Sequence, residues 1–173
     1  KASAGENEVE KVLAREGLLS LTGEKIDQEF VKLAKSVDNA VRYEAVKMIA
    51  IRATPNALET LIRIAEVDLP QIQYEALIAL GVLGTEAQLE LMVSEWGNTR
   101  WTPEERARIG EGIVSIANRS PAGSKRVAEL HTALGKATSD DVQLSIIRVL
   151  NEIQEDSSLS ALRATMRRSS VNV

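Results

Sequence analysis

One histidine, two tryptophans and a few paired carboxylates are the side chains of this sequence with the chemistry to act on a ligand. His131 is the single histidine among 173 residues, and the chain has no cysteine. A metal centre or a nucleophile–base pair needs further partners of those types, so His131 reads as a partly buried histidine on a helix. The doublets Glu104-Glu105 and Asp140-Asp141 follow Thr102-Pro103 and Ser139. Negative charge in a first helical turn compensates the helix dipole, and an acid–base pair is the lesser reading of either doublet. No GxxxxGK[ST], HExxH or GxSxG segment occurs, nor a GxGxxG after a strand pattern. Gly81-Val82-Leu83-Gly84 and Gly110-Glu111-Gly112 fall within or at the end of helical patterns, where close approach and helix termination account for them. Catalytic, metal-binding and cofactor-binding residues are therefore expected to be none.

Composition sets the kind of scaffold that holds these residues. Apolar residues make up 44% of the chain but aromatic ones only 3%, and four prolines and ten glycines leave long stretches of helix-forming residues, which favours an all-α protein. The formal charge of −4 disfavours a nucleic-acid backbone as main ligand, since that needs clustered Lys and Arg. Arg163, Arg167 and Arg168 form a local basic end, read first as a solvated helix terminus and second as an anion patch. Asn118-Arg119-Ser120 has the form of a glycosylation acceptor but runs into Pro121 and carries no weight. No apolar run reaches the ~18 residues of a membrane span. The start Lys1-Ala2-Ser3-Ala4 has the small-residue form of a signal cleavage site, which tilts the expectation towards an exported, periplasmic protein over a cytoplasmic one.

The chain repeats. Tyr43-Glu44-Ala45 returns as Tyr74-Glu75-Ala76, thirty-one residues on, and the register continues: Val41 with Ile72, Val46 with Leu77, Ile49 with Leu80, Ala50 with Gly81, Leu58 with Leu89 and Leu61 with Met92. Within a unit, Val41, Ala45 and Ile49 and then Leu58, Leu61, Ile62 and Ala65 follow helical spacing twice, broken at Thr54-Pro55. Each unit is a helix, a tight turn and a second helix. Thr54 is expected to cap the second helix with Pro55 in its first turn, and Gly84-Thr85 does the same in the next unit. Weaker copies flank these two. Ile109, Ile113, Ile116 and Ala117 followed by Val127, Leu130 and Leu134 make one, and Val142, Ile146, Leu150 and Ile153 followed by Leu159, Leu162 and Met166 make another. A degenerate pair precedes them, so the units span approximately 6–36, 37–66, 67–97, 102–137 and 138–168 of a single domain, 1–173.

On Asp38, Val41, Arg42, Ala45, Ile49 and Leu58 in the second unit, and Ile72, Ala76 and Leu80 to Gly84 in the third, the chain resembles HEAT-like repeat proteins of the short-repeat, phycobilisome-lyase type. The resemblance implies an all-α, right-handed α-α superhelix, an α-solenoid of about five helix pairs. Asn151, standing where Ala50 and Gly81 stand, fits a terminal unit whose outer face meets water.

In proteins of that kind the second helices line a concave surface that contacts partners. By position those contacts are Glu59, Thr60 and Arg63, then Glu90, Leu91, Ser94 and Glu95. The implied function is a non-catalytic scaffold for a protein or peptide, without cofactor; a monomer is compatible with it. The alternatives are a HEAT-like DNA-binding glycosylase, which would use the two tryptophans, and a bilin-lyase-like carrier. Both tryptophans fall in SEWGNTRWTPEER. There Gly97-Asn98 signals a turn, and Thr102-Pro103-Glu104-Glu105 reads as a capped helix start with Glu105 closing a capping box. Trp101, one residue before the cap, is expected to lie on the stem of Arg106 with cation–π character. Trp96 is expected at the core edge or the rim of the binding surface, as the leading single contact residue.

Overall fold

The computed structural model describes residue 17 and residues 23–123 and 125–169. The small-residue start, the first helix of the first unit and the side chains of Met166 and Arg168 lie outside the described residues. Among the described residues every regular element is helical: α1 (Glu24–Leu33), α2 (Asn39–Arg52), α3 (Leu58–Val67), α4 (Pro70–Leu83), α5 (Leu89–Trp96), α6 (Pro103–Arg119), α7 (Lys125–Lys136), α8 (Asp140–Ile153) and α9 (Ser158–Ser169).

The ends of these helices follow local chemistry. Asp38 caps α2 by accepting the N–H of Ala40 at 2.8 Å and of Val41 at 3.2 Å. Proline occupies the first position of α4 and of α6, where a missing N–H costs nothing. The break at Thr54 differs from expectation. Ala53 turns the chain in the left-handed region (φ 49°), and Pro55–Ala57 forms one 3₁₀ turn before α3 begins. Thr54 is buried at that corner, its side chain caps nothing and its Oγ1 has no hydrogen-bond partner. Thr85 caps a 3₁₀ turn, Glu86–Gln88 ahead of α5, instead of the helix itself; its backbone N–H donates to Gln88 Oε1 at 2.9 Å in a capping box.

Each helix packs against a small set of neighbours. α2 packs on α4, α4 on α6 and α6 on α8, while α5 packs on α7 and α7 on α9. Each odd-numbered helix also lies against the even-numbered helix that follows it, α1 on α2, α3 on α4, α5 on α6 and α7 on α8. Ile49, Leu61, Ile72, Leu80, Met92, Ile113, Leu130 and Leu150 lie buried among these helices, one apolar set that runs through four successive helix pairs.

α4 and α6 approach each other backbone to backbone. A Cβ placed on Gly81 would sit 2.6 Å from the Cα of Gly112, and one on Gly112 would sit 3.0 Å from the Cα of Gly81. Backbone meets backbone there, so neither position tolerates a methyl group without separating the helices. Arg119, in the last turn of α6, then reaches back to donate from Nη2 to the carbonyls of Gly81 and Gly84, each at 3.0 Å. Those are carbonyls that the end of α4 leaves without helical partners.

Arginine–carboxylate pairs fasten other corners. Arg42 at the start of α2 makes a two-pronged bond to Asp68 beyond α3, at 2.9 and 2.8 Å, and its Nη1 donates to the carbonyl of Ser36 at 2.8 Å. Arg52 pairs with Asp27 of α1 at 2.7 Å. Arg126 at the start of α7 bonds Glu155 Oε2 at 2.7 Å, and the same oxygen accepts the N–H of Gly123 at 3.1 Å. The hydrogen bonds from Arg42 hold the Asp68 carboxyl below its ordinary range, and the Gly123 N–H followed by Arg126 does the same for Glu155.

Two expected outcomes follow. Gly81→Ala should lower stability by about 1–3 kcal/mol through overpacking, whereas Gly135→Ala, where a Cβ meets nothing within 4 Å, should raise it by about 0.5–1 kcal/mol; urea denaturation of both variants checks the contrast. Because Asp68 and Glu155 are more acidic folded than unfolded, their stabilisation is fully present above the unfolded carboxylate pKa of about 4 and is lost as pH falls through the lower folded values. The urea midpoint should therefore fall between pH 5 and pH 2, and it should fall less steeply in Asp68→Asn; identical acid limbs would count against the pairing.

Candidate functional site

The positions expected to contact a partner separate into three groups. Glu59 and Arg63 are exposed on α3, and Glu90 and Ser94 are exposed on α5. Leu91 is half-buried, and Glu95 is half-buried in a pair with Arg100 at 2.5 Å. Thr60 is 5% exposed and Trp96 only 2%, so the expectation that these two present contact surface is corrected.

The burial of Trp96 has a local cause. Its indole N–H donates to the carbonyl of Arg106 at 2.7 Å, and Arg106 Nη1 donates back to the carbonyl of Trp96 at 2.9 Å. Gly110 on α6 lies beside the ring; a Cβ there would meet two atoms of the indole at an ordinary 3.6 Å and Val149 Cγ2 at 3.2 Å. The repeat register already carries this signal, because Trp96 stands where Ala65 and Leu134 stand, and all three are buried. Trp101 is also buried, at 5% exposure, with its indole N–H on the carbonyl of Glu95 at 2.7 Å. The guanidinium over its ring is that of Arg100, 4.4 Å from the centroid, instead of the expected Arg106, which reaches the Trp101 carbonyl with Nη2 at 3.4 Å. Tyr74 of α4 meets the same ring at 6.2 Å between centroids. The capping box stands as expected, with Glu105 N–H on Thr102 Oγ1 at 3.2 Å and Thr102 N–H on Glu105 Oε2 at 2.9 Å. Both indoles are thus committed to the joint between α5 and α6, with little ring surface left for stacking on a base.

Two clefts meet at this joint and share Trp96 and Val142 as a common wall. The larger, about 550 Å³, lies between α6 and α8, bordered by Ala107, Glu111, Asp141, Leu144, Arg148 and Glu152 among others. The smaller, about 380 Å³, is the furrow between α5 and α7. Glu90, Val93, Ser94 and Gly97 form one side of it and Glu129, Thr132, Ala133 and Lys136 the other, over a floor of Trp96, Val142 and Ile146. This furrow brings together Glu90, Ser94 and the edge of Trp96 from the expected contacts; Glu59, Thr60, Arg63, Leu91 and Glu95 do not line it. Glu129, Thr132 and Lys136 were not among the expected residues. With Leu61 matched to Met92 and Leu130, the same register sets Glu129 beside Leu91 and Thr132 beside Ser94, so it extends to α7.

His131 lies on α7 with Nε2 3.1 Å from Ser158 Oγ, and burial pushes its pKa below the ordinary histidine value. Ser158 is 4% exposed and Leu159 is 55% exposed, the reverse of the apolar pattern expected for α9; the helix is rotated so that the serine meets the histidine. Ser158 lines neither cleft, so the pair links α7 to the start of α9. Asp140 and Asp141 occupy the first turn of α8, and Asn151 on α8 is exposed. Among the described residues no group of three or more His, Asp or Glu side chains is placed to hold a metal ion, and no helix is long and apolar enough to cross a membrane. Neither a scan against protein-family models nor a search of curated proteins finds a match.

Trp96→Ala should cost about 3–5 kcal/mol, as for a large buried ring, and Glu59→Gln should stay within about 0.5 kcal/mol of the parent. Equal urea midpoints for Trp96→Ala and the parent would contradict the packing described for Trp96.

Proposed function

We propose that this chain is a single repeat domain, a right-handed α-solenoid of about five HEAT-like helix pairs, and that it acts as a non-catalytic scaffold for a protein or peptide. The second helices of the pairs, α1, α3, α5, α7 and α9, form its concave binding surface in this reading. The observation that carries the proposal is the α5–α7 furrow, where exposed polar side chains from two successive second helices border one cleft over an apolar floor. That combination of satisfied core, apolar floor and polar rim is the anatomy of a peptide groove. The repetition of the two-helix unit supports it, because stacked units leave one row of helices with an extended face. The acidic balance of −4 favours a protein partner over nucleic acid.

Panning a random peptide display library on the folded protein tests the proposal. Enriched peptides should lose about tenfold or more in affinity to Ser94→Arg, which fills the furrow, and nothing to Ile51→Ser on the other row of helices. An absence of enriched peptides, or peptides indifferent to Ser94→Arg, would sink the furrow as the binding site.

A further inference from the structure

The charges along the α5–α7 furrow have an order. α5 and α7 are separated by α6 and two short connections, 97–102 and 120–124, so the chain reverses direction twice and the two helices run the same way. Glu90 and Glu129 then stand together near the N-terminal ends of the furrow, Ser94 and Thr132 in its middle, and Gly97 and Lys136 at its C-terminal end. Among the described residues none of Glu90, Glu129 and Lys136 takes part in an ion pair, whereas Glu95, Arg126 and Glu155 nearby are all engaged. Two carboxylates at one end and one ammonium at the other are therefore free to meet charges that the chain itself does not supply.

The spacing sets what would complement them. From Glu90 to Gly97, as from Glu129 to Lys136, is seven residues, or about 10 Å of helix rise. An extended peptide advances about 3.3 Å per residue, so about three residues cover that distance. We infer that the furrow takes an extended peptide with a lysine or arginine at the Glu90–Glu129 end, a carboxylate about three residues away beside Lys136, and an apolar side chain between them against Val142, Ala133 and Ala137, the part-exposed apolar residues of the furrow. The inference rests on the scaffold reading and deepens it by naming the partner's chemistry. The hydroxyls of Ser94 and Thr132 supply polar groups that a bound backbone needs.

Four acetylated and amidated fluorescent tetrapeptides test it by anisotropy at low salt: Lys-Ala-Leu-Asp, Asp-Ala-Leu-Lys, Lys-Ala-Leu-Lys and Asp-Ala-Leu-Asp. Because an extended peptide can lie in either direction, the two mixed-charge peptides should both bind, about fivefold or more tighter than the two like-charged ones. Glu129→Gln should weaken the mixed peptides by about two- to fivefold, and Lys136→Glu should move the preference to Lys-Ala-Leu-Lys. Thermal melts of each variant, with circular dichroism, confirm that all remain folded. Equal binding of the four peptides, no binding by any of them up to millimolar concentration, or an unchanged preference in Lys136→Glu overturns the inference. Display-selected peptides that respond to Ser94→Arg but not to Glu129→Gln or Lys136→Gln would overturn the charge pattern alone and leave the scaffold reading intact.

Discussion

The contact of α4 with α6 at Gly81 and Gly112 governs how the rest of the chain is arranged. With backbone against backbone, the axes of these helices come closer than any side chain would permit, and Met92 of α5 is brought within reach of Gly112. Arg119 then meets the carbonyls at the end of α4 because α6 lies so near. The same principle works one step further along with a different result. At Gly110 the limit is softer, since a Cβ would meet Val149 Cγ2 of α8 at 3.2 Å and the Trp96 ring only at an ordinary 3.6 Å. Gly81 stands where the earlier unit has Ala50, and the missing methyl group is what brings α4 and α6 together.

The sequence made the helices legible because burial imposes a period on them. Ile49, Leu80, Ile113 and Leu150 recur on the first helices and all are buried; Leu61, Met92 and Leu130 do so on the second ones. Where expectation failed, a local interaction outweighed the period. Thr54 has the right type for a cap, but the left-handed turn at Ala53 starts a 3₁₀ turn and leaves the hydroxyl buried. Leu159 has the right type for the core, but the His131–Ser158 hydrogen bond takes the inward position. Such side-chain pairings join residues 27 positions apart and leave no periodic trace.

The candidate site was legible only in part, for a related reason. Helical spacing assigns Glu90 and Ser94 to an outward face, but which outward faces border a common cleft depends on how neighbouring helices lean together. Residue type misled at Trp96. A lone large aromatic suggests a contact, yet the register puts it where Ala65 and Leu134 are buried, and the core at this joint is wide enough to need it. Its indole nitrogen also finds a fixed acceptor in the carbonyl of Arg106, without which burial would be costly.

The charges of the fold divide into those that hold its corners and those that do not. Arg42, Arg52, Arg106, Arg119 and Arg126 are all spent on carbonyls or carboxylates at corners of the fold, and Asp68 and Glu155 are the acids that receive two of them. These groups cannot turn to a partner without loosening the joints they hold, and removing either member of such a pair leaves the other poorly solvated. Glu90, Glu129 and Lys136 have no such duty. Replacing any of these three side chains breaks none of the ion pairs that hold the helices together, so the polar border of the furrow is uncoupled from the joints of the fold.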